Sequence, residues 1–414
     1  MPPGTTRRLH MLAASALVAA IPLSASAADV VKIGVLAPLT GPTASDGQEF
    51  VRGVEWAVEE ANAKGGVAGY TFEVVTADVK DHSAANVSSA AERLLGTDGI
   101  EVILTGYASL SLFEVDLMAE YGMPYIAAGP SPSFMAVTGH DIDQYWCCYS
   151  FTADFKGYET DVTPYIEALG EAGTIDLGER TLAMISSDNP YSKTISEGMK
   201  KAFGEAGWTV TVDEMVPFGE VSDWRSILAK VRQDPPTLIV NTDYIPGNSA
   251  LFLKQFLEEP TDSLMFLQYA PSVPEFVELT GEQSNGVLYN LINGPLDTPK
   301  WPRGEELTEA FRDRYGVDTG AYGVGLYEMA NIYFAALEEV GDPTDHEAIG
   351  EAIGRQTMDS AAGRIEFDPQ THVARQSDDF IPVSFWQIWD GKRYLVGPEK
   401  YADATFRVPP WMKQ

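Results

Sequence analysis

The side chains with the widest chemical reach in this 414-residue chain are its histidines, two cysteines and 60 carboxylates. Beyond the N-terminal stretch the histidines are His82, His140, His346 and His372. They are scattered and lack the spacing at which imidazoles share a metal, so they read as solvated loop residues and no metal is expected. Cys147 and Cys148 are neighbours. Adjacent Cα atoms sit ~3.8 Å apart, below the usual disulfide range of ~4.4–6.8 Å. Buried free thiols are therefore expected in preference to a strained bridge. With so many carboxylates any two can be paired on paper as acid and base, and no spacing selects a pair. There is no G-x-S-x-G elbow and no phosphate-binding glycine loop. "YGVGLYE" around Gly323 lacks the full dinucleotide fingerprint and reads as helix packing. The chain reads as no enzyme, with no catalytic residue and no cofactor.

The elements suggest holding rather than reacting. In "VKIGVLAPLTGPTASDGQEF", Val31, Ile33, Val35 and Leu36 form the apolar run of a buried strand, stopped by Pro38 and Gly41-Pro42. Ser45 and Asp46 stand where a helix cap belongs, and Glu49 completes a capping box. Phe50, Val54, Val58 and Ala61 then recur at helical spacing. The rhythm repeats: a helix over 83–95, a strand at 102–104 ending in "TGYASLS", a helix over 110–121, and a strand over 124–128 ending in "AGPSPS". It restarts with "TLAMIS" ending in "SDNPYS", "TLIVNT" ending in "DYIPG", and "LMFLQ" ending in "YAPSVPE". Strands alternating with helices predict parallel sheets covered on both faces. Two such units follow one another, with a change near Cys147–Phe151. Polar and aromatic residues fall where strand gives way to helix, the edge at which open parallel sheets bind ligands.

The first residues give an address. Arg7 and Arg8, an apolar stretch over 9–23 and Ala25-Ser26-Ala27 form a cleavable export signal covering 1–27. Its removal leaves roughly 385 residues, enough for two domains with real cores. No later stretch reaches the ~18 consecutive apolar residues of a membrane span. The formal charge is −32, which argues against nucleic acid or an anionic membrane face as partner.

The segment "VKIGVLAPLTGPTASDGQEFVRGVEWAVEEANAKGGVAGYTFEVV" resembles the N-terminus of periplasmic substrate-binding proteins of the branched-chain amino acid type of ABC transporter. The resemblance continues through "GIEVILTGYAS", "YGMPYIAAGPS", "SDNPYSKTISEGMKKAF", "DWRSILAKVRQDPPTLIVNTDY" and "GRIEFDPQTH", nearly the whole exported chain. It implies a type I periplasmic-binding-protein fold: α/β, with two doubly wound parallel-sheet lobes joined by a three-crossing hinge. Lobe 1 is expected over 28–148 plus 292–358, and lobe 2 over 149–291 plus 359–414. The implied role is a periplasmic, monomeric solute-binding component of an ABC importer. It would capture a small amino acid or related carboxylate between the lobes and deliver it to a membrane permease. Binders of amides and urea share the family, and an exported sensor domain reporting to a signalling partner is the alternative role.

Site residues follow from the same resemblance. "TGYAS" matches the loop that holds a ligand carboxylate, with Ala108 in the main contact position and Ser109 beside it. "AGPS" matches the second such loop, where Gly129 offers its carbonyl and Ser131 its hydroxyl and N–H. Both loops precede helices, whose N-termini favour carboxylates. Tyr191 and Tyr244 fall where the second lobe supplies aromatic or hydroxyl contacts, and Tyr107, Phe155 and Tyr269 sit in comparable loops. The amino-acid binders place an acidic residue after the "LMFLQ"-type strand to meet the ligand ammonium. Here Pro271 occupies that place, and Glu275, Asp46 and Asp243 are the available substitutes. The expected ligand is a small carboxylate with an apolar or aromatic body, with branched-chain amino acids next.

Overall fold

Val31, Ile33, Val35 and Leu36 are at most 3% exposed because the strand they form is central and covered on both faces. In a computed structural model, residues 1, 4, 29–97, 99–109, 111–129, 131–153 and 155–413 are described, the side chains of 131–133 excepted. The expected signal segment lies outside these residues, save for 1 and 4.

The first half alternates β1 (Asp29–Ala37), α1 (Ala44–Ala63), β2 (Tyr70–Asp78), α2 (Ala84–Leu95), β3 (Ile100–Thr105), α3 (Phe113–Tyr121), β4 (Tyr125–Ala127), α4 (Ser131–Thr138) and β5 (Cys148–Ala153). The second unit adds α5 (Lys156–Thr160), α6 (Val162–Glu171), β6 (Thr181–Ser187), α7 (Pro190–Glu205), β7 (Thr209–Val216), α8 (Arg225–Gln233), β8 (Leu238–Asn241), α9 (Pro246–Leu257), β9 (Leu264–Leu267), α10 (Pro274–Thr280) and β10 (Leu288–Ile292). Three helices follow, α11 (Pro302–Tyr315), α12 (Gly323–Val340) and α13 (His346–Arg355), then β11 (Thr357–Ser360), β12 (Gly363–Glu366), β13 (Val373–Ala374), β14 (Val383–Trp389) and β15 (Lys392–Gly397).

The strands form two large sheets, one per lobe. The first has the order β2-β1-β3-β4-β5-β13, parallel throughout. The second has the order β7-β6-β8-β9-β10-β14-β15. Its first five strands are parallel, while β14 and β15 run antiparallel at the edge. That antiparallel pair adds to the edge of the expected parallel sheet. In both sheets the order reverses beside the first strand, β1 in one and β6 in the other, so a ligand crevice belongs at the carboxyl ends of β1 and β3 and of β6 and β8.

Sheet membership puts the passages between Ala153 and Lys156, between Ile292 and Pro302, and between Ala374 and Val383. The first and third fall later than the expected 148 and 358. β5 continues the first sheet, with Tyr125 opposite Cys148, and Val373 pairs with Ser150. Helices α11–α13 return to the first lobe, where α12 packs along α1. A Cβ on Gly53 would stand 2.2 Å from the Gly323 carbonyl oxygen, so the glycines permit this close seating and the helix-packing reading of "YGVGLYE" fits.

The capping-box expectation at α1 is overturned. Thr43 occupies the N-cap position without a side-chain cap bond, and Ser45 and Asp46 lie inside the helix. Their oxygens are spent elsewhere: Ser45 Oγ donates to Glu275 Oε2 at 3.1 Å, and Asp46 accepts from two tyrosines. Glu49 accepts from the backbone N–H groups of Gly320, Tyr322 and Gly323 at 2.6, 3.2 and 2.9 Å, capping the start of α12 rather than α1. The solvated reading of the histidines fails at His82, which is 5% exposed. Its Nδ1 lies 2.8 Å from the Ala108 carbonyl and its Nε2 2.9 Å from Thr43 Oγ1. A carbonyl can only accept, so Nδ1 carries the proton, and burial lowers the pKa to keep the ring neutral. His346 bonds Glu101 at 2.6 Å, and His372 stacks on Tyr149.

Candidate functional site

The loops after the strands converge as their order requires. After β3 come Tyr107 and Ser109, after β4 Ala128 and Gly129, and at the end of β5 Thr152 followed by Phe155 and Tyr158. The second lobe contributes Tyr191 at the start of α7, Tyr244 after β8, Tyr269 after β9, and Ile292 and Asn293 at the end of β10. Ala321 and Tyr322, just ahead of α12, complete the wall. The cavity of about 60 Å³ compares with the ~10–15 Å³ one water needs, so it has room for a small organic molecule.

Each loop is shaped by local chemistry. Pro190 opens α7, and Asn189 caps it by accepting from the Ser192 N–H at 3.0 Å, which turns Tyr191 into the cleft. Gly106 lies against the Phe50 ring, where a Cβ would come within 2.1 Å of Cζ. Only glycine lets the Tyr107 loop lie so close over α1. Tyr269 has φ 62° and ψ −55°, and the Ala270 N–H reaches the Gln268 carbonyl at 2.7 Å. This is the strained hand of γ-turn, uncommon for a bulky residue and concentrated at functional sites.

The walls are aromatic and their hydroxyls are largely committed. Tyr107 Oη donates to Asp46 Oδ2 at 2.6 Å and Tyr269 Oη to the same oxygen at 3.1 Å. Tyr158 Oη accepts from the Ile292 N–H at 2.7 Å, and Tyr191 Oη accepts from Gln268 Nε2 at 3.3 Å. The rings brace one another edge to face, Phe155 on Tyr191 at 5.6 Å and Tyr191 on Tyr244 at 5.3 Å, as aromatic pairs prefer. Tyr244 Oη and Asn293 Oδ1 are buried with no hydrogen-bond partner among the described residues.

No charged side chain lines this cavity among the described residues. Behind the wall, Asp46 is held up to a pKa of about 7, chiefly by burial, against the lowering hydrogen bonds of Tyr107 and Tyr269. Glu114 is likewise raised by burial, and Ser109 gives it both its N–H at 3.2 Å and its hydroxyl. Among the described residues no group of three or more His, Cys, Asp or Glu is placed to hold a metal, and no helix is long and apolar enough to cross a membrane.

Seven of the residues singled out in the sequence meet here: Tyr107, Ser109, Gly129, Phe155, Tyr191, Tyr244 and Tyr269. Ala108 stands behind the wall with its carbonyl engaged by His82. Ser131 opens α4, and its side chain lies outside the described residues. Of the three acidic substitutes, Asp46 touches two wall tyrosines. Glu275 is engaged with Ser45, and Asp243 is tied to the Ile245 N–H and Asn248 with its pKa raised to about 6 by burial. Tyr158, Asn293 and Tyr322 were not read from the sequence. The aromatic residue directly ahead of a glycine-rich helix start was the available signal for Tyr322.

A family model described as "Periplasmic binding protein" matches residues 30–383. Leu/Ile/Val-binding protein homolog 7 of Brucella abortus (strain 2308) is 26% identical over 418 residues, covering 97% of this chain and 99% of its own. A crystal structure provisionally assigned to a branched-chain amino acid ABC transporter from Silicibacter pomeroyi is 31% identical, with a TM-score of 0.82. It covers 93% of this chain and is itself covered completely, at 100%. The substrate-binding protein LivJ of Streptococcus pneumoniae, solved in complex with isoleucine, is 17% identical with a TM-score of 0.73. The match covers 89% of this chain and 100% of LivJ, and at that identity it speaks to the fold alone.

Proposed function

The chain belongs to the periplasmic binding protein family, and we propose that it is the exported, monomeric solute-binding component of an ABC importer. It captures a small molecule in the cleft between its lobes and delivers it to a membrane permease. One observation carries this reading: a single cavity is walled by strand ends from both sheets, so a guest there touches both halves of a hinged molecule.

The ligand we propose is a small carboxylate with an apolar or aromatic body, branched-chain amino acids included. Gly129 and Ser131, at the start of α4, take the carboxylate, where a helix N-terminus favours an anion by ~0.3–1 kcal/mol. Tyr107, Tyr191, Tyr244, Tyr269 and Tyr322 wall the body. The unpartnered Tyr244 hydroxyl and Asn293 amide oxygen are uncharged anchors, which supports a neutral amide as the second reading. Mass spectrometry of ligand retained by gently purified protein is the most direct test. Calorimetry across leucine, valine, their 2-oxo acids, benzoate-type acids, simple amides and urea complements it. Tight binding of urea or an amide with no response to any carboxylate would sink the carboxylate reading, and retention of nothing across the screen would sink the transport role.

A further inference from the structure

Two short segments of the chain face two cavities at once. Ala321 and Tyr322 line the first cavity while Asp318, Thr319 and Gly320 line a second, and Ile292 lines the first while Leu291 lines the second. The second cavity, about 440 Å³, differs in chemistry, for its wall is charged. Arg312, Lys392 and Arg393 stand there against Asp297 and Asp318. In a chain with 60 acidic and 28 basic side chains, three cations to two carboxylates is a local reversal of sign.

The cations are not all satisfied. Asp318 is shared, 2.6 Å from Arg312 Nε and 3.8 Å from Arg393 Nη1. Arg393 also donates to the carbonyls of Pro271 and Val273 at 3.0 and 3.1 Å, which fixes its position. Lys392, exposed at the rim, has no hydrogen-bond or ion-pair partner among the described residues. Two hydroxyls on the wall are also unused. Ser272 Oγ and Thr308 Oγ1 belong to side chains 1% and 4% exposed, and neither has a partner among the described residues. Buried hydroxyls are ordinarily paired. Unused donors beside an unpaired cation call for a group that only accepts and carries negative charge.

We propose that the second cavity binds a small oxyanion, a carboxylate or a phosphate, held by the Ser272 and Thr308 hydroxyls and by the charges of Lys392 and Arg393. Thr308 lies on α11 of the first lobe, whereas Ser272, Lys392 and Arg393 belong to the second, so the anion bridges the lobes. Through the shared 318–322 segment it biases the same closure that the first cavity uses. The inference does not depend on what fills the first cavity.

The test is calorimetric titration of the exported chain at constant ionic strength, with inorganic phosphate in one arm and succinate in the other. Saturable binding in the millimolar range or tighter is expected in one arm, which tells phosphate from carboxylate. Lys392→Gln and Thr308→Val, each confirmed as folded by circular dichroism, weaken it about tenfold, while Tyr244→Ala in the first cavity leaves it within about twofold. No saturable binding in either arm overturns the proposal. So does binding indifferent to Lys392→Gln and Thr308→Val, or binding abolished by Tyr244→Ala, which would place the anion in the first cavity.

Discussion

The phenolic oxygen of Tyr269 stands 3.1 Å from Asp46 Oδ2, joining residues 223 positions apart. Asp46 sits on α1 of the first lobe and Tyr269 follows β9 of the second, so this bond spans the cleft. Ser45 and Glu275 span it again at 3.1 Å. Each bond exists only while the lobes are together.

Tyr269→Phe is therefore expected to loosen the closed state by ~0.5–1.5 kcal/mol, a two- to tenfold weaker affinity for whichever ligand is retained on purification. The wild type should show a smaller radius of gyration by small-angle scattering when saturated. A radius unchanged at saturation would count against a closing hinge.

The contribution of three buried carboxyls to stability should fall as pH rises from about 4 to 8. Burial raises Asp46 to about 7, Asp243 to about 6 and Glu328 to about 8, all above their unfolded values near 4. The folded chain thus holds protons that the unfolded chain has released. This contribution is complete below about pH 4 and is lost as pH passes through the folded values. Asp46→Asn should flatten the melting temperature against pH between about 4 and 7, the range between its unfolded and folded values. A melting curve no flatter than the wild type's would remove Asp46 from the account.

Ser109 and Ser131 should part company under mutation. Ser109 gives both N–H and hydroxyl to the buried Glu114, so Ser109→Ala should lower stability by ~1.5–3 kcal/mol with affinity little changed. Ser131→Ala should weaken a carboxylate ligand by ~1–3 kcal/mol with stability little changed. Denaturant titration beside calorimetry separates the two, and the reverse pattern would exchange their roles.

Cys147 and Cys148 are free, fully buried thiols, and burial first and then Cys147 hold the Cys148 thiol well above its usual range. The native chain should resist an alkylating reagent at pH 8, whereas the denatured, unreduced chain should take up two equivalents. Recovery of no reactive thiol after denaturation would mean the pair is bridged.

The strand-end loops were legible because each apolar run is local and ends in turn-forming residues, and parallel sheets deliver such ends to one edge. That brought the loops into view, and the family resemblance singled out Tyr107, Gly129, Tyr191 and Tyr244 within them. Tyr322 escaped because it reaches the cavity only through the packing of α12 on α1, which no short window contains. Asp46 and Glu49 were misread for a related reason. A capping rule compares neighbours three apart, while their partners at Tyr269 and Gly320 lie 223 and 271 positions away. His82 looked solvated because nothing nearby in sequence announces that Thr43 and Ala108 close over it. The antiparallel β14–β15 edge carries no local mark of which sheet it joins.

The seating of α12 on α1 also dictates an order of events while the chain is being made. The cover of α1 is incomplete until a helix about 280 residues further on has emerged, which at ~5–20 residues per second takes roughly 15–55 s. Through that interval Trp56 lacks the Phe311 and Tyr327 rings that pack on it in the finished fold. β5 likewise waits for Val373 to receive its last neighbour. Neither lobe can reach its final form on an unfinished chain, because β13 of one sheet and β14 and β15 of the other all lie in its last fifth.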